Sequence, residues 1–195
     1  IVQASAATFY GRGVALKDFD EFTESYELNS NVERDADGKL VERVWRMGSA
    51  DGAQAPGLYA ADIARVVAHL EAALPFAPEA TRKALEAQIR FYRSGERVDR
   101  VAYDIAWVAD KDSVVDTVNS FVEVYVDPRG KKGSWQGIVS YEDPKKAALI
   151  KSLAQNAQWF EDHMPFDACY RKPSVKGISA RSIDVVLETG DCGPV

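Results

Sequence analysis

Residues 115–139, VDTVNSFVEVYVDPRGKKGSWQGIV, decide how this chain is read. Phe121-Val122-Glu123-Val124-Tyr125-Val126 is a run of β-formers, Asp127-Pro128-Arg129-Gly130 carries turn residues, and a second apolar run follows. The expectation is a strand, a sharp turn and a second strand. In a strand, residues two apart share a face. Glu123 and Tyr125 are therefore expected to point the same way, with Asn119 and Phe121 before them on that side. A carboxylate beside a phenol has two readings. One is the polar outer face of a half-exposed strand. The other is a strand edge that grips an amine and a carbonyl, the carboxylate pairing with an ammonium and the phenol donating to a developing oxyanion.

Upstream, helical spacing dominates. Leu16, Phe19, Phe22 and Tyr26 recur at intervals of three and four, which predicts a short amphipathic helix. Asp35-Ala36-Asp37-Gly38 predicts the turn of a hairpin. Residues 58–74 read as a helix with Ile63, Val66, Val67, Leu70 and Leu74 on one face, stopped at Pro75. A second helix is expected from Pro78 to Ser94 with Gly95 as its stop, and a weaker one over 97–108. Downstream, Asp143-Pro144 opens a helix expected to run over 145–160, with Asp143 as its cap. Residues 178–187 alternate as a strand. Helices and strands in blocks indicate an α+β fold: helical segments around a small antiparallel or barrel-like β core. Three parts are expected. Residues 1–142 form a mixed lobe with the 115–140 strands, 143–163 a helix reaching a further lobe, and 164–195 a loop and return strand.

The bulk composition is that of a globule, 46% hydrophobic over 195 residues. With 24 Lys and Arg against 30 Asp and Glu, the net charge of −6 argues against nucleic acid as a partner. No apolar run is long enough for a membrane span. No signal peptide opens the chain, which points to the cytoplasm, or to the periplasm if a signal was removed before Ile1. Both ends read as cut from a longer protein. Cys169 and Cys192 suit free thiols or one disulfide. His69 and His163 lack a second ligand at metal spacing, so no metal site is expected within the chain. Arg129, Lys131 and Lys132 lie in a glycine-bearing turn, read as a solvated turn or, more weakly, a phosphate loop. Ser179, Ser182 and Asp184 lack the motif of a serine hydrolase.

The 115–130 segment, with Gly133-Ser134-Trp135 after it, resembles the dipeptidyl peptidase III family of zinc metallopeptidases, M49. Residues 156–163, 175–180 and Gly190-Asp191-Cys192 are similar to further stretches of its bacterial branch, in order along the chain. The resemblance implies an enzyme that releases dipeptides from the amino terminus of short peptides. It also implies that this chain is the part upstream of a His-Glu-x-x-x-His zinc motif, largely the lobe facing the zinc-bearing lobe. Zinc then belongs to the parent enzyme, with no ligand in this chain. Carried over by position, Glu123 anchors the peptide's ammonium group, and Tyr125 hydrogen-bonds the tetrahedral intermediate as the catalytic contribution. Asn119 and Gln136 join them as substrate contacts. Gln136 departs from the family pattern, which has a glutamate there. The implied partners are a short peptide substrate and the missing zinc-bearing lobe, and the isolated chain is expected to be inactive. The alternative is a stand-alone, non-catalytic peptide-binding module.

Overall fold

The computed structural model describes residues 8–175 and 181–191. The first hairpin forms as its turn residues require. β1 (Ser30–Arg34) and β2 (Leu40–Val44) pair antiparallel, Arg34 opposite Leu40. The Asp35 carboxylate accepts the backbone N–H groups of Asp37 at 3.0 Å and Lys39 at 2.9 Å, and Gly38 supplies the positive φ the turn needs.

Three helices follow: α1 (Ala60–Ala73), α2 (Glu79–Ser94) and α3 (Arg97–Ala109). Ile63, Val67 and Leu70 of α1 and Leu85, Ile89, Phe91 and Tyr92 of α2 are buried together with Trp45 and Phe121. This is the stripe expected from the 3.6-residue period. Gly95 stops α2 at φ 72°, its N–H returning to the Phe91 carbonyl at 2.7 Å. Tyr103 of α3 packs on Ala84 and Ala87 of α2.

A second sheet has the order β3-β4-β5, all antiparallel: β3 (Val115–Glu123), β4 (Ser134–Glu142) and β5 (Ile183–Gly190). It is docked on the helices through Phe121, whose ring centroid lies 4.9 Å from Trp45 and 6.2 Å from Tyr92. The Tyr92 hydroxyl donates to the Asn119 side chain at 2.6 Å and accepts from the Trp135 indole at 3.1 Å. The mixture of helices and antiparallel sheets is the α+β fold expected.

Three local expectations fail for identifiable reasons. The helix over 16–26 is a single 3-10 turn, Leu16–Asp20, because residues beyond it are committed elsewhere. The N–H groups of Ser25, Tyr26 and Glu27 all donate to the Glu42 carboxylate, and Glu24 is turned inward. The helix over 145–160 is two: α4 (Pro144–Gln155) and α5 (Ala157–Asp162), broken at Asn156, whose φ −98° and ψ 13° are not helical. Its cap is as expected, Asp143 accepting from Lys145 N–H at 2.8 Å. The strand read through Val126 ends at Glu123. Residues 178–180, read as the start of the last strand, lie outside the described residues, as does Cys192. Cys169 is free and exposed.

The turn between β3 and β4 is tied to the N-terminal segment from below. Asp127 is buried and accepts from the Tyr10 hydroxyl at 3.0 Å and from the backbone N–H groups of Arg129, Lys131 and Lys132 at 3.1, 2.7 and 2.9 Å. The turn's cations are paired: Arg129 with Glu24 at 2.7 Å, Lys131 with Glu27 at 2.6 Å, and Lys132 with Glu24. Lys132 also reaches the Ser30 hydroxyl at 2.8 Å. The Arg129 guanidinium lies 3.4 Å from the Phe19 ring centroid. Arg129 and Lys132 face into the protein while Lys131 stays exposed, which removes both the solvated-turn and the phosphate-loop readings for Arg129 and Lys132.

Candidate functional site

The site is built at the end of β3, and a β-bulge decides its geometry. Phe121 stands opposite Trp135, but Glu123 stands opposite Ser134, so Val122 is an extra residue in β3. Cross-strand partners share a face and neighbours along a strand do not. Trp135 and Ser134 therefore face opposite ways, and so do Phe121 and Glu123. Phe121 turns to the core. Glu123 joins the face of Ser134 and Gln136 and is exposed. The expected common face of Asn119, Phe121, Glu123 and Tyr125 does not exist, because simple alternation cannot cross the bulge.

Past the bulge the chain leaves the sheet. Val124 accepts from the Asp127 N–H at 3.1 Å, and Asp127 from the Gly130 N–H at 2.9 Å, closing two successive turns. Tyr125 projects from the first of them, 69% exposed. Its hydroxyl donates to Oδ2 of Asp191. The Gln136 side chain, on a residue only 5% exposed, donates through Nε2 to the same oxygen at 3.4 Å. Tyr125 and Gln136 thus converge on Asp191, with Glu123 two residues from the phenol. Asn119 is not part of this cluster. Its side chain accepts from Tyr92 on the core side, and its carbonyl accepts from Gln88.

Asp191 reaches this point because β5 ends in Gly190. That residue pairs with Gln136, has φ 74°, and lies so close to the Trp135 carbonyl that an added Cβ would stand 2.3 Å from it. The Asp191 N–H then donates to that carbonyl at 3.0 Å. Asp191 was not among the expected site residues; its signal was its place in the Gly190-Asp191-Cys192 stretch that resembles the family. Ser134, opposite Glu123, also lines a largely apolar cavity of about 410 Å³ with Phe9, Trp45, Tyr59, Phe121 and Trp135.

The two histidines stand apart from this site. His69 is exposed on α1, and His163 closes α5, stacked on Trp159 with Nδ1 2.7 Å from the Trp159 carbonyl oxygen. Among the described residues no cluster of three or more His, Cys, Asp or Glu side chains is placed to hold a metal. These described residues do not fit a zinc ion. No helix of the described residues is long and apolar enough to cross a membrane.

The chain matches the model of peptidase family M49 over residues 25–193. It is 29% identical over 126 residues to dipeptidyl peptidase 3 of Dictyostelium discoideum, covering 64% of this chain and 18% of that protein. Against dipeptidyl peptidase 3 of Homo sapiens it is 26% identical over 135 residues, 69% of this chain and 18% of the relative. The fold is similar to the solved DPP III from Caldithrix abyssi, with TM-score 0.73, 21% identity, and coverage of 95% of this chain and 35% of that one. It is also similar to dipeptidyl-peptidase III from Corallococcus sp. strain EGB, with TM-score 0.65, 17% identity, and coverage of 94% and 34%. The chain therefore spans about a fifth of the curated relatives it matches and about a third of the solved ones.

Proposed function

The chain belongs to peptidase family M49, and from that premise we propose that it is the substrate-binding part of a zinc-dependent dipeptidyl peptidase. The parent hydrolase would release dipeptides from the amino terminus of short peptides. This chain would supply the peptide-gripping side of the cleft. The zinc-bearing lobe, with the metal that activates water when bound, would be contributed by residues outside this chain.

One observation carries the reading: an exposed carboxylate ends β3 past the bulge, and an exposed phenol follows two residues later on the turn. Glu123 on an open face suits an ammonium group, a charge-assisted hydrogen bond of the stronger kind. Tyr125, on a turn fixed from below by Asp127, suits a donor aimed at a carbonyl oxygen that gains charge as the peptide bond is attacked. Gln136 lies beside them and can donate or accept as the peptide requires. Asn119 acts on this site from behind, holding β3 against Tyr92.

The test is made on the protein from its natural source, captured with an antibody to this segment. The expected result is a protein several times longer than 195 residues that releases dipeptides from short peptides and stops when zinc is chelated. A captured protein no longer than this chain, binding peptides without cleaving them, would replace the enzyme with a peptide-binding module.

A further inference from the structure

We propose that Asp191 is a positioning residue of this site, holding the Tyr125 hydroxyl while the site is empty and releasing it when a peptide's ammonium group arrives. The inference rests on the amino-terminus reading given above. Its observation is independent of that reading. Tyr125 and Gln136, from the turn and from β4, donate to the same oxygen of a residue beyond the end of β5.

A phenol has one proton and directs it to one acceptor. While Oδ2 of Asp191 takes that proton's hydrogen bond, the hydroxyl is not aimed at a substrate carbonyl. The phenol's bond to the carboxylate is charge-assisted through its acceptor alone, whereas an ammonium brings a full positive charge and forms an ion pair with it. An arriving amino terminus therefore displaces the phenol from Oδ2. No proton changes owner: an ammonium N–H replaces the phenolic O–H at the carboxylate, and the phenol keeps its proton and turns to the substrate oxygen. An N-acetylated peptide brings no charged donor and leaves Tyr125 engaged. Preference for a free amino terminus is in this way coupled to the readiness of the phenol.

The same geometry gives Gln136 a reason. A carboxylate at position 136 would face Asp191 across the reach now spanned by the amide, and two carboxylates there would repel. The neutral amide donates instead. The charge expected at position 136 is carried by Asp191, one step across the β4–β5 pair. Gly190 makes this placement available, since only a residue without Cβ fits against the Trp135 carbonyl.

The experiment uses the 195-residue chain with tyrosine labelled at Cζ by carbon-13, the Tyr125 resonance being assigned from Tyr125→Phe. It is titrated with trialanine and with N-acetyl-trialanine. Asp191→Asn alone is expected to move the Tyr125 resonance. Trialanine moves it in the wild type and the acetylated peptide does not. Asp191→Asn lowers the preference for trialanine by about tenfold, the scale of one charge-assisted hydrogen bond. The swap Gln136→Glu with Asp191→Asn restores part of that preference, which a merely structural role for Asp191 would not do. A Tyr125 resonance indifferent to Asp191→Asn, or moved equally by both peptides, overturns the proposal. So does trialanine binding whose preference survives Asp191→Asn, and that result leaves the amino-terminus reading standing. Failure of both peptides to bind overturns the reading and the proposal together.

Discussion

Lys132, with no exposed surface, pairs through Nζ with the carboxylate of Glu24, whose side chain is 3% exposed. This contact joins the β3–β4 turn to the segment before β1 and replaces the helix that local spacing favours there. Buried charges are tolerable only in company, and removing one partner strands the other. Lys132→Met is expected to destabilise the chain by about 3–5 kcal/mol. Adding Glu24→Gln should not restore the loss, because Glu24 also pairs with Arg129 at 2.7 Å and its removal leaves that guanidinium without its carboxylate. Urea denaturation of both singles and the double closes the cycle. Strict additivity would show that the pair is not coupled.

Glu123 stands free on its strand face, so its removal should leave folding alone. Glu123→Gln is expected to weaken binding of a free-amine peptide by about tenfold, the value of a charge-assisted hydrogen bond, and to leave an N-acetylated peptide unaffected. Calorimetric titration with the two peptides separates the effects. Equal losses for both would place Glu123 in general contact with the backbone instead of on the ammonium group.

Tyr125→Phe in the parent enzyme should act on turnover. A donor to a developing oxyanion is worth about 10²–10³ in kcat. KM should change little, because the hydroxyl engages the substrate mainly as charge develops. Steady-state kinetics on a short peptide decides it. A raised KM with unchanged kcat would make the phenol a ground-state contact.

Lys131 and Glu27 give the turn a pH signature. The hydrogen bond from Lys131 holds the Glu27 carboxyl below its ordinary value of 4.5. A carboxylate lowered in the folded state stabilises above its unfolded pKa, and that contribution disappears as pH falls through the folded value. Both side chains are more than 40% exposed, so the pair contributes only about 0.2–1 kcal/mol. Lys131→Met should therefore be less stable than the wild type at pH 7 and nearly equal to it at pH 2. A gap that persists at pH 2 would assign the loss to packing of the lysine stem.

Much of the scaffold was legible because its signals are local. The stripe Ile63, Val67, Leu70 fixes α1, Gly95 fixes the end of α2, and Asp143-Pro144 opens α4. The site was legible as residues and not as geometry. Glu123, Tyr125 and Gln136 could be singled out, yet Val122 and Val124 look alike in sequence, and nothing marks the first as the extra residue of a bulge. Asn119 was grouped with Glu123 by alternation, and the bulge parts them. The basic turn at Arg129, Lys131 and Lys132 looked solvated because Glu24 and Glu27 lie about a hundred positions away, and pairing at that range leaves no trace in spacing. Asn156 carried no warning that it would divide a helix.

Val122 also changes what β3 can tolerate. Before it, the strand's even and odd positions are assigned by the core: Asn119 and Phe121 answer to Tyr92 and Trp45. After it, the parity is reversed, and Glu123 answers to the open face alone. Folding and recognition are thus written on one strand in two phases and can drift separately. Deleting this single valine would transpose them, turning Glu123 toward the aromatic core and carrying the Tyr125 turn away from Asp191 without altering any other residue.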